Sequence, residues 1–156
     1  MTALLSPKLD LVFKLLFVSD PALLRDLLNQ VLRTYDYPSL QTVTIRNPTL
    51  LTADLSQKSV VLDIHALDDR GRAYDIELQV QRYHTYPSRT LYYLAKLYAQ
   101  QLKTGQEYDR LRPVLGVHLL DYVLFADTAH YQHCFELRDR MQPQRRLTDQ
   151  LALFLF

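Results

Sequence analysis

A single cysteine, Cys134, stands among 156 residues. One thiol excludes an internal disulfide framework and any multi-cysteine zinc site, and it points to a reducing cytoplasm. Tryptophan is absent and glycine occurs only three times, so Gly-rich flexible tracts are excluded. An excess of one charge is also lacking, since 18 Lys plus Arg against 17 Asp plus Glu leave +1. That balance declares no polyanion partner, although a local basic stripe can act where net charge does not. Long apolar runs are missing too. Lys8 and Asp10 interrupt the apolar stub at residues 1–5, and Lys14 interrupts the stretch from Leu11 to Val18. Neither an export signal nor a membrane span is expected.

What is present suits one globular domain over residues 1–156. Apolar residues make up 48% of the chain and charged ones 22%, enough for a core and too apolar for disorder. Ser6-Pro7 and Ser19-Asp20-Pro21 both read as helix starts, the first for a short helix over residues 8–18. Leu23, Leu24, Leu27, Leu28, Val31 and Leu32 give the second helix its 3.6-residue period, out to Arg33. Residues 40–45 favour a strand and residues 49–58 a connection. Two strands follow at 59–67 and 72–81, then a long helix over 88–103 with Gly105 just past its end. The continuous apolar run 114–120 has the character of a central strand. Weaker strands are expected at 131–138 and 151–156. The last of these, Leu-Ala-Leu-Phe-Leu-Phe, is either a strand inside the sheet or the cut edge of a longer chain. The expected class is α/β, with a mixed sheet flanked by helices.

The hairpin at residues 60–81 is the most informative stretch. Strand side chains alternate between faces, so Asp63 and His65 share a face of the first strand, and Asp75, Glu77, Gln79 and Gln81 share a face of the second. A three-residue loop, Asp69-Arg70-Gly71, with glycine in the left-handed position sets the register. It puts Asp68 opposite Arg72, His65 opposite Asp75 and Asp63 opposite Glu77. Two carboxylates about 4.5–5.5 Å apart at Cβ repel each other unless neutralised. A solvated polar face, a shared proton, or a divalent cation on hard oxygen ligands would each relieve them.

The motifs Asp10-Leu-Val-Phe-Lys-Leu-Leu-Phe17, Leu62-Asp-Ile-His-Ala66, Tyr74-Asp-Ile-Glu-Leu-Gln-Val80, Arg89-Thr-Leu-Tyr-Tyr93 and the Gly105–Val114 junction occur in that order. Together they resemble the PD-(D/E)XK nuclease superfamily, and within it the recombination-promoting, transposase-like (Rpn-like) nucleases. The likeness covers about residues 7–125. It implies a restriction-endonuclease-like fold and an endonuclease that hydrolyses DNA with Mg²⁺ or Mn²⁺. DNA is then the partner, a homodimer is compatible, and no organic cofactor is called for. Asp63 and Glu77 match the family's two metal-binding acids, and Asp10 matches an acidic position on its first helix. Gln79 stands where the superfamily has its active-site lysine. A neutral amide supplies no positive charge, yet it can orient the attacking water. The rival reading is a binding module that kept the fold and lost turnover; a third is a structural domain of a longer chain.

Other residues have two readings each. Asp10, Phe13, Lys14 and Phe17 share a helix face, either as an ordinary Asp–Lys pair or as an inward face on which Lys14 replaces the missing lysine. His65 is a base, a supporting partner, or one end of a structural bond to Asp75. His84, His118, His130 and His133 show no metal-ligand spacing with cysteine and are read as structural. Arg89, Lys96 and Lys103 recur every seven residues on the long helix, with Arg82 ahead and tyrosines interleaved. That stripe is either a solvated face or a contact for the DNA backbone. Cys134 is read as buried filler.

Overall fold

The computed structural model describes residues 10–46 and 63–156. Helices α1 (Asp10–Ser19) and α2 (Pro21–Thr34) come first. Strands β1 (Val43–Ile45), β2 (Ile64–Asp68) and β3 (Ala73–Gln79) follow, then helix α3 (Tyr86–Ala99). A 3-10 turn (Tyr108–Arg110) leads into β4 (Val114–Leu120), and then come β5 (His133–Glu136) and β6 (Leu151–Leu155). The six strands form one mixed sheet in the order β1-β2-β3-β4-β6-β5. Pairing is antiparallel from β1 to β3, parallel across β3, β4 and β6, and antiparallel again between β6 and β5. The expected α/β class with a mixed sheet is what the chain adopts.

Local chemistry explains the first helices. The Asp20 carboxylate accepts the amide protons of Ala22 and Leu23 at 3.0 and 3.3 Å, and Pro21 takes the first helical position, where its missing N–H costs nothing. At the far end Asp36 turns left-handed, with φ +57°, and the Tyr37 amide donates back to Leu32 O at 2.9 Å. Asn29 clamps Leu40 by both of its backbone groups. Leu24, Leu28, Val31 and Leu32 are buried, along with Phe13 and Phe17 of α1, against Ile64, Ala66, Tyr74, Ile76, Leu115, Val117 and Phe154 of the sheet. Period-3.6 apolar faces on a period-2 sheet face make this core.

Helix α3 lies against the opposite sheet face. Its closest approach is at Gly116 of β4, where an added Cβ would come 2.9 Å from Leu153 and 3.1 Å from Leu94. Only glycine leaves room for that contact.

The expected boundaries need correction in places. The start signal Ser6-Pro7 and the connection 49–58 lie outside the described residues, as do residues 59–62 of the first hairpin strand. The strand expected over 40–45 shortens to β1, the one over 72–81 stops at Gln79, and the one over 131–138 shrinks to β5. The long helix starts two residues early and ends at Ala99 rather than 103. Gln101 ends it, because its side-chain amide donates to Arg112 O at 2.9 Å and its carbonyl accepts Arg112 N–H at 2.8 Å. Along this helix Leu94 is buried, whereas Leu91 is 60% exposed. Residues 151–155 are a strand inside the sheet. Among the described residues no helix is long and apolar enough to cross a membrane.

Cys134 sits opposite Phe154 and packs against the core. Burial, and then the charge of Glu136, push its thiol from 9.0 up to about 12. A rise of that size lowers the thiolate fraction near neutral pH by about 10³-fold. Alkylation by iodoacetamide at pH 8 should therefore be at least about 100-fold slower in the folded protein than in guanidinium. Equal rates in the two states would show the thiol to be ordinary.

Candidate metal centre

The turn between β2 and β3 fixes which side chains meet. Gly71 takes φ +79°, a conformation glycine reaches without strain. The Gly71 amide donates to Asp68 O at 3.0 Å, and the Asp68 amide to Arg72 O at 3.1 Å. His65 pairs with Asp75 and Ile64 with Ile76, the register read from the loop. Asp63 immediately precedes β2, so alternation carries it to the face that holds His65, Asp75, Glu77 and Gln79. Parallel pairing with β4 sets His118 beside Glu77.

The result is a half-buried cluster of acids and imidazoles. His65 Nε2 lies 3.2 Å from Asp75 Oδ1. His118 Nε2 lies 3.6 Å from Asp75 Oδ2, and its Nδ1 lies 3.6 Å from Glu77 Oε2 and 2.9 Å from the Tyr86 hydroxyl. Burial works to raise Asp75, but His118 and His65 outweigh it and hold its carboxyl at about 2. Asp63 is pushed up by burial and then by the charge of Asp75, against His65, His118 and Lys14. Glu77 is likewise pushed up by burial, with the charges of Asp63 and Asp75 adding to it. Contact with the Asp75 carboxylate raises His65 despite its burial. These groups feel one another's charge, as a cation-binding cluster does.

The other anticipated residues are placed as follows. Lys14 is 1% exposed beside Phe13 and Phe17, the inward face that the spacing allowed. Burial lowers its ammonium, and the charge of Asp63 opposes that. Asp10 opens α1, and its side chain lies outside what is described. Gln79 is buried; its amide donates to Gln81 O at 2.7 Å, and its carbonyl accepts Arg89 at 2.6 Å. Arg89 also donates to Glu77 at 2.8 Å. Arg89 is thus turned into the cluster, and Lys103 lies past the end of α3, so the basic stripe is not continuous along one helix. Arg82, Lys96 and Lys103 are exposed.

A family model described as PD-(D/E)XK nuclease family transposase matches residues 7–156. The chain belongs to that family. Searches of the curated proteins and of the solved structures each give no match. In this nuclease-fold, transposase-related chain, Asp63 and Glu77 share a face of the hairpin with Asp75, which neighbours Glu77 along β3 and pairs with His65. The family's divalent metal fits that face on the structure's own terms: oxygen donors converge there, and the acids destabilise one another's charge.

Two residues escaped the sequence reading. His118, set aside as structural, is 0% exposed and joins Asp75 to Glu77. Its signal was a polar residue inside an otherwise apolar run, Val-Leu-Gly-Val-His-Leu-Leu. Tyr86, counted only among stacking tyrosines, is 1% exposed and holds the His118 ring.

Proposed function

We propose that this family member is a metal-dependent DNA endonuclease that hydrolyses phosphodiester bonds in a transposition- or recombination-related role in the cytoplasm. The observation that carries the reading is the convergence of Asp63, Asp75 and Glu77 on one hairpin face within a chain of nuclease fold. The carboxylates of Asp63 and Glu77, with Asp75 beside them, hold Mg²⁺ or Mn²⁺. Bound there, the ion supplies Lewis-acid charge neutralisation and an acidified water. Lys14 contributes the positive charge that residue 79 lacks, from α1 rather than β3. Gln79 and Arg89 form a bonded pair at the edge of the cluster, with the guanidinium partly open to solvent; this pair orients the water and meets a phosphate oxygen. Arg82 and Lys96 contact the backbone of the DNA, and Lys103 adds to them from beyond the helix.

The test is conversion of supercoiled plasmid to the nicked form. We expect cleavage with Mg²⁺ or Mn²⁺ and its loss on chelation. Retention of DNA with no cleavage in either metal would overturn the enzyme reading in favour of a binding module.

A further inference from the structure

Within the acidic cluster, the tightest donor set includes a nitrogen. Ligand atoms of Asp63, His65 and Asp75 all lie within 4.8 Å of one another among the described residues. Glu77, on the same face, contacts Arg89 and His118. The His65–Asp75 contact is close at 3.2 Å, yet Asp75 Oδ1 makes no hydrogen bond although its side chain is 6% exposed. The two atoms stand at ion-pair distance, and with a ligand atom of Asp63 they border a space that a third atom would share. Neighbouring donors on an octahedral ion with bonds of about 2.1 Å stand about 3 Å apart, close to the 3.2 Å between His65 Nε2 and Asp75 Oδ1.

The surroundings hold Asp75 in that attitude. His118, with a side chain 1% exposed, sets Nε2 3.6 Å behind Asp75 Oδ2, and that nitrogen has no hydrogen bond of its own. The Tyr86 hydroxyl fixes the other ring nitrogen at 2.9 Å. His118 thus borders Asp75 at the oxygen not used by His65, the position an outer partner of a ligating carboxylate takes.

We propose that Asp63, His65 and Asp75 coordinate the ion directly, and that the His65 imidazole makes the centre prefer a first-row transition ion to Mg²⁺. All-oxygen sites suit Mg²⁺, whereas an imidazole nitrogen favours softer divalent ions. The proposal rests on the cluster being a cation site; it does not require that the site cleave DNA. Glu77 stays in the ligand set of that reading and closes the ion's remaining side from beside Arg89 and His118.

Calorimetric titration of Mn²⁺ and of Mg²⁺ into the full chain tests it, together with electron spin-echo spectroscopy of the Mn²⁺-loaded protein. Wild type should bind Mn²⁺ at least about tenfold more tightly than Mg²⁺ and show modulation from a coordinated imidazole nitrogen. His65→Ala should erase the nitrogen signal and weaken Mn²⁺ by about 10–100-fold, with Mg²⁺ affected far less. Because His65 is 35% exposed, this variant should fold, and circular dichroism checks it; His65→Gln, of similar reach, should lose the nitrogen signal as well. An unchanged Mn²⁺ preference or a persisting nitrogen signal in His65→Ala would overturn the assignment while leaving nuclease activity unaffected as a question. Failure of wild type to bind either ion would overturn both this proposal and the cation reading beneath it.

Discussion

Asp63→Asn should abolish plasmid nicking, with the rate falling at least about 10³-fold, a loss of roughly 4 kcal/mol of transition-state stabilisation. Asparagine keeps the shape and removes the anionic ligand, so the deficit lies in holding the cation. DNA retention should persist, since the charges proposed to meet the backbone lie just before, on and after α3. Stability should move the other way. The folded-state pKa of Asp63 is raised above 3.8 by burial and then by Asp75. The folded state therefore holds that proton more tightly than the unfolded chain, and stability falls as pH rises through 3.8 to the raised value. At neutral pH, in buffer without metal, the ionised group is a burden that asparagine relieves. Melting of the variant at pH 7 should match or exceed that of wild type. Normal nicking by Asp63→Asn would remove the metal reading; lost nicking with a collapsed melting temperature would mark Asp63 as structural.

Asp68→Ala should carry the largest stability loss, about 3–5 kcal/mol. Asp68 has a fully buried side chain. Its Oδ1 accepts the amide protons of Arg70 and Arg72 at 2.8 and 2.9 Å. Its Oδ2 accepts Arg72 Nε at 2.6 Å and the Tyr74 hydroxyl at 2.9 Å. Alanine would strand a guanidinium that is only 6% exposed and release the turn that fixes the hairpin register. Against a typical total of about 5–15 kcal/mol, such a loss leaves a large unfolded fraction. Urea denaturation measures it. The double variant Asp68→Leu/Arg72→Met should recover part of the deficit, because it leaves no buried charge unpaired. A deficit below about 1 kcal/mol for Asp68→Ala would show that solvent reaches Arg72 after all.

The hairpin was legible in the sequence because its determinants are local. Gly71 and the alternation of apolar with polar residues left one register that keeps both faces consistent, and His65 does meet Asp75. The inward turn of Lys14 was legible for a similar reason, as two phenylalanines share its helix face. What was hidden depends on partners far along the chain. His118 reaches the acids only because β4 lies parallel to β3, a pairing joined through α3 and a loop. The end of α3 is set by Gln101 bonding to Arg112, which no helical period discloses. Arg89 reads as one member of an exposed basic row, and only the packing of α3 over the hairpin turns it towards Glu77 and Gln79. That ligand atoms of Asp63, His65 and Asp75 approach within 4.8 Å of one another, while Glu77 contacts Arg89 and His118, is likewise a matter of side-chain direction, which register alone does not specify.

The place of β6 between β4 and β5 has a consequence for biosynthesis. A ribosome delivers β4 and β5 before residues 151–155, and although β4 can pair with β3, its other edge and the whole of β5 lack their native neighbour until β6 slots between them. The nascent chain must wait with a bare apolar strand edge, during which chaperone capture or premature association competes with closure. Expression yield should therefore respond to translation speed and temperature more strongly than the finished protein's stability would suggest.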